Sequence, residues 1–203
     1  FPQPPEAITG IFTVLLTLFV MSIAKPAFVP SLFIEVNNIS PAPNRSISFA
    51  QSIVLNEVEE ESDEVVPVYI NCWQKNTSFK IVIEMCDIIG YRFTQNKRTD
   101  ELFAIIKQYV NKSERAAVFV FDEMDKIEDI DLLYNILEDV FRKSVIMITN
   151  YKEYVTELDE RIKSRLTAEM LEFQAYNLSE TRGILKQRTE YAFVSGVWED
   201  NAF

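Results

Sequence analysis

The chain has no histidine, two cysteines and four glycines in 203 residues. Without histidine there is no His-ligated zinc and no Ser-His or Cys-His catalytic pair. Cys72 and Cys86 make no disulfide framework, and their apolar settings predict buried thiols in a reducing compartment. Four glycines are few for an α/β protein that wraps its backbone around phosphates. Basic residues are short too, 20 Lys and Arg against 31 Asp and Glu. The net charge of −11 argues against a surface that coats nucleic acid, while a local basic patch stays open. Much of the acid lies in NEVEEESDEVV, residues 56–66, read as a solvated helix end or linker.

The first fifty residues differ from the rest. Residues 7–24, AITGIFTVLLTLFVMSIA, are uncharged and reach the lower length limit of a membrane-spanning helix. The preceding FPQPPE lacks the basic side chain of a secretory leader, and Lys25 would place the segment after it on the cytoplasmic side. Three readings stand for this stretch: a membrane anchor, a packed hydrophobic segment, or a stretch foreign to the protein through a shifted frame or rearranged gene. Next comes a Pro-, Asn- and Ser-rich linker around one short apolar run. Because the chain starts at Phe1 rather than Met and stops at Phe203 without a terminal signal, it is expected to be a fragment or a processed product.

From about Val65, short apolar runs alternate with amphipathic helical patterns. VVPVYINC (65–72), AAVFVF (116–121) and SVIMIT (144–149) read as strands, the last two buried on both faces. Residues 77–90 predict a helix with a Thr or Ser cap and a closing glycine. Residues 99–110 predict a second, capped by Thr99, residues 129–143 a third, and residues 157–166 a fourth. Asn177 and Glu180 stand at capping-box spacing before a further helix. Strand, helix, buried strand, helix, buried strand predicts a three-layer α/β fold with a parallel sheet.

In such a sheet ligands collect at the carboxyl ends of the strands. VFVFDEMDKI (118–127) puts Asp122 and Glu123 just past a buried strand, with Asp125 two residues on. There an Asp can hold magnesium and a Glu can orient the water that attacks a γ-phosphate. Alone the pair is as compatible with a structural strand end. The next strand ends in Asn150, so an amide would emerge beside Asp122 if the two strands are neighbours. Arg161 and Arg165, four apart, share one helix face. They read as exposed ion pairs or as an arginine reaching a partner subunit's phosphates.

Taken in order, VYINCWQKNTSFKIVIEMC, VFVFDEMDKIEDIDLLYNILEDV, IMITNYKEYVTELDERIKSRL and EFQAYNLSETRGILKQRTEYAFVSGVW resemble the archaeal origin-recognition (Orc/Cdc-type) replication initiators of the AAA+ ATPases, over about residues 53–203. The resemblance implies that Asp122 and Glu123 are the magnesium-holding and water-activating Walker B pair. It implies that Asn150 is the first sensor, touching the γ-phosphate or attacking water, and that Arg165 is an arginine finger, with Arg161 the weaker candidate. It further implies DNA contacts from YRFTQNKRTDELF, where Lys97 and Arg98 are the candidates for phosphate; as a bare feature this is a short basic turn. ATP, magnesium, origin DNA and other initiator subunits are the implied ligands and partners, in the cytoplasm unless residues 7–24 insert into a membrane. The implied domains are residues 51–175, part of the AAA+ core, and residues 176–203, the start of a helical lid, after an atypical segment 1–50.

The chain departs from the family at the phosphate-binding loop. G-x-x-x-x-G-K-[ST] cradles phosphates on backbone amides and reaches the terminal ones with lysine. The glycines here are Gly10, Gly90, Gly183 and Gly196, and none is followed by lysine. Where the loop would come after a strand like SLFI (31–34), the chain has EVNNISPAPNRSISFAQ. The second sensor's arginine and a winged-helix domain are likewise not found in the sequence. The expected function is therefore a fragment or degenerate form of an initiator ATPase. The alternatives are a nucleotide-free partner of an intact initiator, with or without a membrane tether, and an inactive relic.

Overall fold

A computed structural model describes residues 31–36, 65–112, 116–151, 153–166, 169–173 and 177–194. Five strands form one sheet: β1 (Ser31–Val36), β2 (Val65–Asn71), β3 (Ala116–Asp122), β4 (Lys143–Thr149) and β5 (Glu169–Phe173). They lie in the order β2-β3-β4-β1-β5 and every pair is parallel. The parallel three-layer expectation holds, and the short SLFI run is one of the inner strands.

Parallel neighbours need crossovers, and helices supply them. α1 (Ser78–Ile88) and α2 (Thr99–Lys112) join β2 to β3, and α3 (Asp131–Asp139) joins β3 to β4. α4 (Tyr154–Glu157) and α5 (Glu160–Leu166) precede β5, and α6 (Leu178–Ala192) comes after it. β3 is buried at all seven positions, six of them an unbroken apolar run and the last Asp122. Val68, Ile70, Phe119, Phe121, Val145 and Met147 share one face of the sheet, where they pack with the buried stripes of α1, α2, α3 and α5. Pro67 lies within β2, tolerated because β2 is an edge strand.

Helix ends show how local chemistry sets boundaries. α1 is capped by Thr77, whose hydroxyl oxygen accepts from Lys80 N at 3.4 Å. It closes on Gly90, at φ +77°, with Gly90 N–H donating to the Asp87 carbonyl and Tyr91 N–H to that of Cys86. Thr99, expected as the cap of α2, is instead its first residue. Arg98 holds the cap position: its carbonyl takes the first helical bond, from Leu102 N, and Glu101 reaches back to accept from Arg98 N at 2.9 Å.

Two expected helices are shorter than their sequence patterns. The one over 129–143 is α3, ending at Asp139, because Asn111 accepts from Phe141 N and donates to the Asp139 carbonyl, turning the chain back into the sheet. Lys143 then opens β4. The one over 157–166 is broken. Leu158 leaves the helical conformation, at φ −57° and ψ 147°, and is buried, and Asp159 caps α5 by accepting from Arg161 N at 2.8 Å. The strand over 65–72 stops at Asn71, one residue early.

The Asn177–Glu180 capping box of α6 is present in both directions. Cys72 and Cys86 are free and buried, and burial pushes the Cys72 thiol up. Residues 7–24 and the acidic run from 56 to 64 lie outside the described residues. Among the described residues no helix is long and apolar enough to cross a membrane.

Candidate functional site

β2, β3 and β4 finish at one edge of the sheet, and their last residues build the site. Asp122 closes β3, opposite Asn71 in register, rather than lying past the strand as expected. It is 1% exposed. Its Oδ2 accepts the Tyr69 hydroxyl at 2.8 Å, and its Oδ1 accepts Glu123 N–H at 3.0 Å. Tyr69 stands opposite Val120, and strand alternation puts it on the same sheet face as Asp122, away from the main core cluster. Burial, then the Asp122 charge and this hydrogen bond, drive the Tyr69 phenol well above its ordinary range.

Glu123 leaves the strand in the left-handed region, φ 54°, ψ 45°. For a residue with a Cβ that conformation costs energy and marks a constrained turn. Across the β3–β4 pair, the Asn150 amide nitrogen meets both Glu123 carboxylate oxygens at 3.2 Å. The sequence puts this amide beside Asp122 if the two strands are neighbours; they are, and the amide bonds to Glu123, the residue next to Asp122. Burial, followed by the charges of Asp122 and Asp125, raises the Glu123 carboxyl above its usual range, while Lys126 and Asn150 pull it back.

Asp125 is held separately. Its Oδ1 accepts from the Thr149 hydroxyl at 2.9 Å, its Oδ2 pairs with Lys126, and Lys126 Nζ lies 5.7 Å from the Trp73 ring centre. Each acid of Asp122-Glu123-Met124-Asp125 thus has its own donor: Tyr69, Asn150 and Thr149. Tyr69 and Thr149 were not read from the sequence. Tyr69's alternation with Val68 and Ile70 was the available signal, since it sets the phenol on the strand face opposite the core.

Arg165 and Arg161 do share a helix face, and it covers α3. Their guanidinium carbons sit 4.8 Å and 5.6 Å from the Tyr134 ring centre. Arg165 Nε donates to Glu138 at 2.6 Å and Nη1 to the Arg161 carbonyl at 3.1 Å, while Arg161 forks onto Asp159. Arg165 is therefore held by α3, apart from the acids. Lys97 and Arg98 lie in the α1–α2 loop beside Asn96, which is itself at φ 58°. The Arg98 side chain is exposed and pairs with Asp100 at 3.0 Å.

Magnesium is bound through one or two carboxylates with waters and substrate phosphates making up the shell. Asp122 at a strand end fits that mode. A metal cage made by protein alone does not: among the described residues, no three acidic or thiol side chains converge.

No family model matches the chain. It is 33% identical over 153 residues to ORC1-type DNA replication protein 1 of Sulfurisphaera tokodaii, an alignment covering 70% of this chain and 38% of that relative. The chain thus spans well under half the length of this curated relative. Its fold matches the Aeropyrum pernix ORC1 protein in complex with DNA, with TM-score 0.78, 21% identity and coverage of 98% of this chain and 53% of that one. The Aeropyrum pernix ORC2 protein in ADPNP-ADP complexes matches with TM-score 0.72 and 16% identity, over 98% and 56% of the two chains. The two structural likenesses establish the fold.

Proposed function

We propose that this chain, an archaeal ORC1-type replication-initiator relative with an AAA+ fold, acts in DNA replication as a module that keeps the water-orienting edge of a nucleotide site without its phosphate cradle. The observation that carries the reading is the Asn150–Glu123 contact beside buried Asp122. At such an edge Glu123 would accept the proton of an attacking water, Asn150 would fix the carboxylate's direction, and Asp122 would hold the magnesium that accompanies nucleotide phosphates. Magnesium, when bound, neutralises charge on those phosphates.

The sequence has no G-x-x-x-x-G-K-[ST] loop. Charge-assisted hydrogen bonds are worth about 1.5–3 kcal/mol each, so a missing cradle weakens nucleotide binding by several powers of ten. The module is therefore not expected to turn over ATP by itself. Its contribution is made to a neighbour. Arg165 sits in the last turn of a short helix with its side chain partly exposed, and an arginine finger serves its neighbour's site. Lys97 and Arg98 are the proposed phosphate contacts to DNA.

The test mixes the chain with an intact ORC1-type initiator from the same source and monitors phosphate release. Arg165→Ala is expected to lower the stimulated rate by about a thousandfold, the lower end for arginine fingers. A rate unchanged by the substitution removes the trans role.

A further inference from the structure

We propose that Thr149 is a positioning residue for the Glu123–Asn150 pair, a single buried hydroxyl that ties together the two turns from which those side chains emerge. The inference rests on the reading of Glu123 and Asn150 as the water-orienting pair. Strand alternation puts Thr149 on the sheet face of Val145 and Met147, both of which pack in the main core cluster. It is 1% exposed. Valine has the same branching and would fill that position with no polar atom to desolvate, so the hydroxyl is explained by its bonds. It makes two. The proton goes to Asp125 Oδ1 at 2.9 Å, and the oxygen accepts Tyr151 N–H at 3.0 Å.

Those partners bracket the pair. Asp125 lies two residues after Glu123, and Tyr151 one residue after Asn150. The bond from Tyr151 closes a tight turn around Asn150 and fixes where its amide leaves β4. The bond to Asp125 draws the turn after β3 to the same point. Inside that turn Glu123 holds a left-handed conformation, which persists only where its surroundings over-determine it. Without the hydroxyl, Asp125 keeps Lys126 on its other oxygen, so its charge stays paired. What is lost is the tie between the two strand ends. Glu123 then relaxes towards ordinary backbone angles, and its carboxylate leaves Asn150.

The full chain, Thr149→Ser and Thr149→Val are compared by nuclear magnetic resonance, without nucleotide or metal. A strong intraresidue cross-peak between the amide and α protons marks the positive φ of Glu123, and the side-chain amide shifts of Asn150 mark its contact. The parent and Thr149→Ser, which keeps the hydroxyl, should show both signatures. Thr149→Val should lose the strong Glu123 cross-peak and move the Asn150 signals towards those of an unbonded amide. A folded Thr149→Val protein that keeps either signature overturns the proposal, and so does a Thr149→Ser protein that loses them. If Thr149→Val does not fold, Asp125→Ala cuts the bridge at its less buried end: loss of the Glu123 cross-peak supports the proposal, and its persistence overturns it. Because no nucleotide is present, a failure of the bridge is told apart from a failure of the nucleotide reading.

Discussion

The Asn150 amide nitrogen sits 3.2 Å from each carboxylate oxygen of Glu123, joining residues that leave two adjacent strands at the same sheet edge. A symmetric contact of this kind fixes direction more than it adds stability. It gives the carboxylate one orientation before any water arrives. Asn150→Ala is expected to leave the melting temperature nearly unchanged and to raise the Glu123 pKa further, since a contact that lowers it is lost. A carbon-13 titration of the Glu123 carboxyl reads this directly, and a downward shift contradicts it.

The pH dependence of stability comes from the same group. Its folded pKa lies above the unfolded value, so the folded chain binds the proton more tightly. Glu123 therefore costs stability above its folded pKa, and the cost fades as pH falls through that value towards the unfolded one. Glu123→Gln is expected to stabilise the chain at neutral pH, with the gain disappearing in acid. Denaturant unfolding across that range checks it; a gain independent of pH contradicts it.

Arg165 lies over Tyr134 and is gripped by Glu138. Both Arg165 and Glu138 are substantially exposed, so the grip concerns orientation rather than stability. Glu138→Gln should leave the melting temperature almost unaltered yet speed phenylglyoxal modification of Arg165 several-fold. Unchanged reactivity would mean that Glu138 does not hold the guanidinium.

The core behind the site is expected to be intolerant. Phe119 and Phe121 stack at 6.5 Å on β3 and are fully buried. Phe119→Ala should cost about 3–5 kcal/mol, a large part of a domain's stability. Gly90→Ala is a milder case. No atom lies within 4 Å of an added Cβ, so only the positive φ is penalised, by about 1 kcal/mol. Denaturant midpoints of the two variants check both figures.

Most of the sheet was legible because its strands announce themselves. Ala116–Phe121 is an unbroken apolar run of strand length, as expected of a strand covered on both faces, and Ser144–Thr149 repeats the pattern. The capping box at Asn177 and the glycine closing α1 were local signals and were read correctly. Boundaries failed where a distant side chain decided them. Asn111, far away in sequence, ends α3, and Leu158 breaks the helix before Arg161 by turning into the core. Asp122, Glu123 and Asn150 were visible as polar residues at strand ends. Their pairing was not, because whether Asn150 meets Asp122 or Glu123 depends on the left-handed turn at Glu123, which no propensity predicts for glutamate. Tyr69 was hidden for a related reason: a tyrosine in a strand is ordinary until register brings it to an acid.

Asp122, Glu123 and Asn150 stand together at one sheet edge, in a sequence that has no G-x-x-x-x-G-K-[ST] loop. Whether nucleotide binds there is tested most directly by titrating the folded chain with a fluorescent ATP analogue and magnesium, with Asp122→Ala alongside. No saturable binding is expected up to millimolar nucleotide for either protein. Saturable binding at micromolar concentrations, weakened by Asp122→Ala, would contradict this expectation and show that another segment of this chain cradles the phosphates.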